Sequence, residues 1–262
     1  MVNDGGGEPV EQAASGFDDQ LNLTVVPADA VGPSAARNMG ANRARGIFIA
    51  FTDDDCEPES GWLYALRAAF KANPNSAVGG TMVNGAPGRC AAGSQAMLDA
   101  THAHFNRDPG APTFFASSNL AFPADGFRSV GGFDESFRYA EDRELCERWL
   151  RSGHRLVHAP EAIVRHMREL TARSFWWQHF GYGRGAWTLH RARAERNWGR
   201  FAIEPGFYGE IARQVHRRGN GAGRPSLAAL ALTSQIANAA GFAREAVAAR
   251  WRTRPHATRL KA

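Results

Sequence analysis

The sequence predicts an α/β fold: a mainly parallel sheet flanked by helices, followed by a helical, basic C-terminal extension. Three observations carry this. Short apolar runs with strand character alternate with segments whose apolar residues recur at helical spacing. One run, "IFIAF", ends in three adjacent carboxylates, Asp53, Asp54 and Asp55, as a strand does where an open sheet meets its ligand. The charge is also divided along the chain. From Thr171 onward there are 16 Lys+Arg against 4 Asp+Glu, whereas residues 1–170 carry 15 against 22.

The elements follow in order. "LNLTVVPA" (Leu21–Ala28) alternates apolar and polar residues and reads as a strand. In "PSAARNMGANRARG", Pro33 and Ser34 open a helix and Gly46 follows its end. "IFIAF" (Ile47–Phe51) is a continuous apolar run, as in a strand buried on both faces. "GWLYALRAAFKANP" places Leu63, Leu66, Ala69 and Phe70 on one helical face and breaks at Pro74. "AVGGTMVNG" (Ala77–Gly85) is a strand, "TFFASSNLAFPADGF" a strand pair entering a turn, and "GGFDESFRYA" a loop. "EDRELCERWLRSG" is a helix with acids leading and Gly153 closing it. "HRLVHAP" and "AIVRH" are two short strands.

Composition narrows the function classes. With 262 residues, 44% hydrophobic, 16 Phe and 7 Trp, there is material for one sizeable core. Cys56, Cys90 and Cys146 are far apart and form no CxxC pair, which argues against a disulfide framework or structural zinc and for a reducing, cytoplasmic setting. "MVNDGGGEPV" has neither a basic nor an apolar leader region, so no signal peptide is expected.

Three adjacent carboxylates repel one another and require a positive partner. Mg²⁺ or Mn²⁺, held by one or two acids and the phosphates of a substrate, meets that need. The same residues also suit a helix N-terminus opened by Pro58.

The blocks "VNDGGGE" (Val2–Glu8), "GPSAARNMGANRARGIFIAFTDDDCEP" (Gly32–Pro58) and "SSNLAFPADGFRSVGGFDESFRYAEDRELCERWLRSGHRLVHAPEAIVRH" (Ser117–His166) together resemble family 2 glycosyltransferases of the GT-A fold. The resemblance covers roughly Val2 to His166 and implies roles position by position. Asp4 meets the nucleotide base and Arg37 lies near the nucleotide or its phosphates. Asp53 contacts the ribose, and Asp53 and Asp55 frame the metal, with Asp54 between them in the donor site. His166 completes the metal shell. Asn119 and Asp134 line the donor-sugar and acceptor pocket. Asp142, beside Glu141, is the base that takes the acceptor proton in an inverting transfer. Each position also has a plainer reading: Asp4, Asn119 and Asp134 as turn residues, Arg37 in a helix-face ion pair, His166 as an ordinary strand-end histidine, and Glu141 and Asp142 as acids at a helix N-terminus.

The family's usual first strand and helix have no counterpart ahead of Val2. The expectation is a late start or a degenerate copy, with exposed sheet edges and low solubility. After His166 the chain becomes aromatic, basic and Gly-interrupted. Arg184 among Gly181, Gly183 and Gly185 is a candidate phosphate contact, and Trp176, Trp177 and Trp187 suit core packing or an interfacial belt. Pro225 to Ala243 holds 19 uncharged residues, with few strongly apolar ones, and is expected to lie in a membrane interface or pack on the protein rather than span.

The reading is a metal-dependent, inverting glycosyltransferase. It would use a UDP-sugar on a lipid-linked or polysaccharide acceptor, peripheral at the cytoplasmic face of an anionic membrane. Residues 1–170 form the catalytic part and 171–262 the extension. The alternatives are an inactive truncated relative or a basic nucleic-acid-binding protein. The latter is disfavoured, because no nucleic-acid module is present and the acidic first part repels phosphates.

Overall fold

The computed structural model describes residues 1–5, 10–14, 17, 21–199, 201–219 and 223–252; the Gly6–Glu8 end of the first block lies outside them. The elements are β1 (Val2–Asp4), α1 (Val10–Ala14), β2 (Val26–Ala28), α2 (Pro33–Arg43), β3 (Phe48–Phe51), β4 (Cys56–Pro58), α3 (Trp62–Ala72), β5 (Ser76–Asn84) and α4 (Arg89–Phe105). Then come β6 (Leu120–Pro123), α5 (Ala124–Ser129), α6 (Glu141–Arg151), β7 (Arg155–His166), α7 (Ala172–Glu195), α8 (Pro205–Arg218) and α9 (Arg224–Arg252).

The α/β class is as predicted, but the sheet is mixed. Five strands lie in the order β3-β6-β5-β7-β4, and β1 pairs in parallel with β2 as a separate ribbon. Within the larger sheet β5 and β7 run parallel, whereas the β3–β6, β6–β5 and β7–β4 pairs are antiparallel. Apolar runs reveal strands but not their direction, which depends on the end of the sheet at which the chain re-enters.

Local departures have physical causes. Strand β3 is a sheet edge rather than a strand buried on both faces, so Ile49 and Phe51 turn into the core and Ala50 is exposed. Only Val26–Ala28 of the predicted 21–28 strand pairs; the residues ahead of it make turn bonds such as Leu21 N–H to Phe17 O at 2.9 Å. The two short strands predicted around Pro160 are one strand, β7. Its pairing with β5 shifts register between Gly79 and Thr81, and the bulge accommodates the proline's missing donor. Gly80 faces the Ala162 carbonyl and the Asn119 amide there, leaving no room for a Cβ. In place of the first strand of the predicted pair, Ser117–Asn119 form a short 3-10 turn, and the chain after β6 folds into α5.

The sheet buries both faces. On one side Phe51, Phe122, Phe127, Phe133 and Leu145 surround Trp149, which is fully buried and donates from Nε1 to Arg155 O at 2.8 Å. On the other, Leu66 and Phe70 of α3 pack on Val78, Ala121 and Ala162, while Leu63 turns outward. A third cluster joins α4 to the C-terminal helices: Ala96, Met97 and Ala100 meet Ile211, Leu227 and Ala231. Thr171 and Ser174 cap the start of α7 reciprocally. Helix α9 is long and apolar enough to cross a membrane, yet it rests along α7 and against α4 and α8.

Candidate active site

The carboxylate loop joins β3 to β4, which lie on opposite edges of the sheet. Asp55 and His166 are brought together by the β4–β7 pairing, in which Cys56 stands opposite His166 and Met167 N–H donates to Asp55 O at 2.8 Å. Asp55 Oδ2 is 3.3 Å from His166 Nε2 and 4.0 Å from Arg168 Nη1. The His166 hydrogen bond outweighs burial and holds the Asp55 carboxyl below its ordinary value. Ligand atoms of Asp55, Cys56 and His166 all lie within 4.8 Å of one another. An oxygen and an imidazole nitrogen so placed fit a hard or borderline divalent cation. Burial and the adjoining Asp55 and Asp53 push the Cys56 thiol up to about 12, so it stays protonated while no cation is bound.

Helix α2 ties this loop to α6. Arg37 donates to Asp53 Oδ1 at 2.6 Å and to Glu141 Oε1 at 2.8 Å. Burial opposes the guanidinium charge, but Asp53 and Glu141 raise its pKa above normal. The next residue, Asn38, exchanges bonds with the Phe133 backbone, accepting from N–H and donating to O, both at 2.9 Å. Ser34 Oγ donates to Phe137 O at 2.7 Å. Helix α2 thus pins the "GGFDESF" loop that delivers α6.

Asp142 sits in the first turn of α6 and accepts from Arg143 N–H at 2.7 Å. Burial and the neighbouring Glu141 charge raise its carboxyl to about 7. The two acids of the predicted catalytic pair differ in what holds them: Glu141 pairs with Arg37, whereas burial and the Glu141 charge raise the Asp142 carboxyl.

The remaining predicted positions divide sharply. Arg37, Asp53, Asp55, Glu141, Asp142 and His166 line one cavity of ≈ 880 Å³. Asp54 between them is exposed. Asp4 ties the end of β1 to the turn before α2, accepting from Val31 N–H at 2.6 Å and Gly32 N–H at 2.8 Å. The buried Asn119 donates to Thr81 O at 3.0 Å and Ala162 O at 2.8 Å, and accepts from Trp62 Nε1 at 2.9 Å, bracing the bulge. Asp134 pairs with Arg196 at 2.7 Å, and Arg196 also reaches the fully buried Glu144. Arg184 bonds Glu245 of α9 at 2.8 Å rather than reaching the cavity.

Other residues join the site that motif reading does not find. Arg138, Arg168 and Arg173 bring cations to the cavity wall, and His104 pairs there with Glu204. Met97, Phe105, Phe207 and Tyr208 make part of it apolar. Much of this wall comes from α7 and the chain entering α8. The only signal for it in the sequence is the basic, aromatic character of the tail, which does not specify a position.

Comparison with known proteins bears on the fold and the first part of the chain. Residues 1–121 match the family model Glycosyl transferase family 2. Over 143 residues the chain is 32% identical to a pre-mycofactocin glycosyltransferase of Mycobacterium tuberculosis, covering 52% of this chain and 30% of that protein. Over 201 residues it is 26% identical to a glucosyl-dolichyl phosphate glucuronosyltransferase of Haloferax volcanii, covering 67% of this chain and 63% of that protein. In fold it resembles a mannosyltransferase from Pyrobaculum calidifontis, solved with GDP-Man and Mn²⁺, at a TM-score of 0.58 and 18% identity over 97% of this chain and 70% of that one. The chain thus resembles family 2 glycosyltransferases over its first 121 residues and has a GT-A-like fold. It spans 30% of the length of the mycobacterial relative and 63% of the haloarchaeal one.

Proposed function

We propose that the chain is a metal-dependent, inverting transferase that moves a sugar from a nucleoside-diphosphate donor, a UDP-sugar first among candidates, to a glycan or lipid-linked hydroxyl. One observation carries the reading: Asp55 with His166 and the near-neutral Asp142 open onto the same cavity. Asp55 and His166 would hold Mg²⁺ or Mn²⁺, which when bound offsets the charge of the donor diphosphate. Arg37 fixes Asp53 and Glu141 in place, and Arg138, Arg168 and Arg173 favour an anionic ligand at the cavity wall. Asp142 accepts the proton of the acceptor hydroxyl as its oxygen bonds to the anomeric carbon. The bond from that carbon to the diphosphate breaks on the opposite face.

Calorimetric titration with UDP and with GDP, each with and without Mn²⁺, tests the donor site. Binding is expected to need the cation and to be lost in Asp55→Ala. A ligand at about 100 times its Kd should also stabilise the chain by roughly 2.7 kcal/mol. Equal binding with and without the cation, or in Asp55→Ala, would overturn the metal assignment.

Peripheral membrane attachment is the matching proposal for the extension. The outward side of α9 carries exposed Leu232, Ile236, Val247 and Trp251, and no charge lies between Arg224 and Arg244. A stripe of this kind with basic ends suits an anionic lipid surface. Flotation with phosphatidylglycerol vesicles should carry the chain up, and phosphatidylcholine vesicles or the double change Leu232→Asp, Ile236→Asp should not. Flotation that is indifferent to both changes would refute the attachment.

A further inference from the structure

Helix α7 carries three glycines at alternate positions, and each has a neighbour that excludes a side chain. A Cβ on Gly181 would lie 2.5 Å from the Tyr139 ring, and one on Gly185 would lie 2.7 Å from Tyr139 Cβ and 2.8 Å from its carbonyl carbon. Gly183, on the other side, abuts the Asn238 backbone of α9, and Gly241 of α9 abuts the Phe180 carbonyl. Tyr139 is thus seated directly on the α7 backbone, with the Arg184 guanidinium 5.9 Å from its ring. The next residue, Ala140, caps α6 in the left-handed conformation, with φ 62 and ψ 19. A side chain with a Cβ enters that region only where its surroundings hold it. Glu144 N–H donates to the Ala140 carbonyl at 3.0 Å and so starts the helix. Two residues beyond Ala140 is Asp142, and residues 138 to 143 all line the cavity.

We propose that α7 is a positioning element for the Asp142 carboxylate: its Gly181–Gly185 face seats Tyr139, which holds Ala140 in its strained cap and so sets where the first turn of α6 presents Asp142. The inference rests on the reading of Asp142 as the proton acceptor. It gives the glycines of the extension a task other than the phosphate contact their sequence first suggests. Tyr139 and the glycines are positioning residues and touch no reacting atom.

The test is carbon-13 carboxyl NMR on full-length chain labelled at aspartate, with the Asp142 signal assigned by its loss in Asp142→Asn. Groups near this carboxylate are Glu141, Arg37, Arg143, Cys146 and Tyr182, so a displaced α6 turn changes its titration. In Gly185→Ala, where the added methyl meets backbone, the Asp142 midpoint should fall toward the ordinary carboxylate value by about one unit, with UDP or GDP binding unchanged. Gly181→Ala meets a side chain instead, so it should show the same displacement and be rescued by adding Tyr139→Leu. Tyr139→Leu alone, which creates space rather than a clash, should also move the midpoint and decides the question if the glycine variants do not fold. In a transfer assay these variants should lose turnover about tenfold or more while donor KM stays within about twofold. An Asp142 midpoint identical to wild type in folded Gly185→Ala and Tyr139→Leu would overturn the inference. A wild-type midpoint in the ordinary carboxylate range would instead count against the proton-acceptor role itself, because that role is read from the wild type and positioning from the difference.

Discussion

Replacing Asp142 by Asn should abolish transfer while leaving donor binding intact. Proton acceptance by a positioned carboxylate contributes about 10²–10⁴ in rate, and the amide cannot accept that proton. The wild-type rate should rise with pH through about 7, because Asp142 must be ionised and burial with Glu141 raises it to that value. The variant should lose this limb. Stability should move the other way. The folded-state value lies above that of an unfolded carboxylate, so the group's favourable contribution is complete below the unfolded value and disappears as pH rises through about 7. The melting-temperature difference between Asp142→Asn and wild type should therefore grow in the variant's favour from pH about 5 to about 8. A variant that keeps its turnover contradicts the role, and a melting difference flat across that range contradicts its electrostatic cause.

Replacing Arg37 should be the most damaging single change for stability among the site residues. Its guanidinium is the shared partner of Asp53 and Glu141, with side-chain exposures of 16%, 33% and 11% for Arg37, Asp53 and Glu141. Arg37→Met leaves both acids uncompensated, with Asp142 close by. Breaking a fully buried pair costs about 3–5 kcal/mol; the one-third exposure of Asp53 brings the expectation down to about 2–3 kcal/mol. Arg37→Lys should recover little, since an ammonium lacks the planar fork that spans two carboxylates. Urea unfolding measures the loss, and a cost under about 0.5 kcal/mol would show that solvent already screens these acids. Arg37 also helps hold down the Asp142 pKa, so the activity limb should shift to higher pH in whatever fraction stays folded.

Local features are legible in the sequence. The α6 pattern is visible because acids lead, Leu145 and Trp149 share a face, and Gly153 follows with φ +85. The acid loop is visible because an apolar run stops at it. What stays hidden depends on contacts distant in sequence. Asn119 reads like a sugar-binding amide, and only its bonds to Thr81 and Ala162 reveal that it braces the bulge. Asp134 belongs to an ion-pair network with Arg196, a partner too far along the chain for spacing to reveal. The glycines of α7 advertise freedom for a loop or a ligand, whereas helix packing uses their lack of a side chain.

The carboxylate loop also constrains the shape of the sheet that bears it. Residues 52–55 join the outermost strands β3 and β4, and Cys56 N–H turns back to Asp53 O at 3.2 Å. Four strand-to-strand steps of about 4.8 Å would separate those edges in a flat sheet, further than so short a link with a turn in it can reach. The sheet must therefore roll toward a partial barrel, and the acids act as the clasp where its two edges approach.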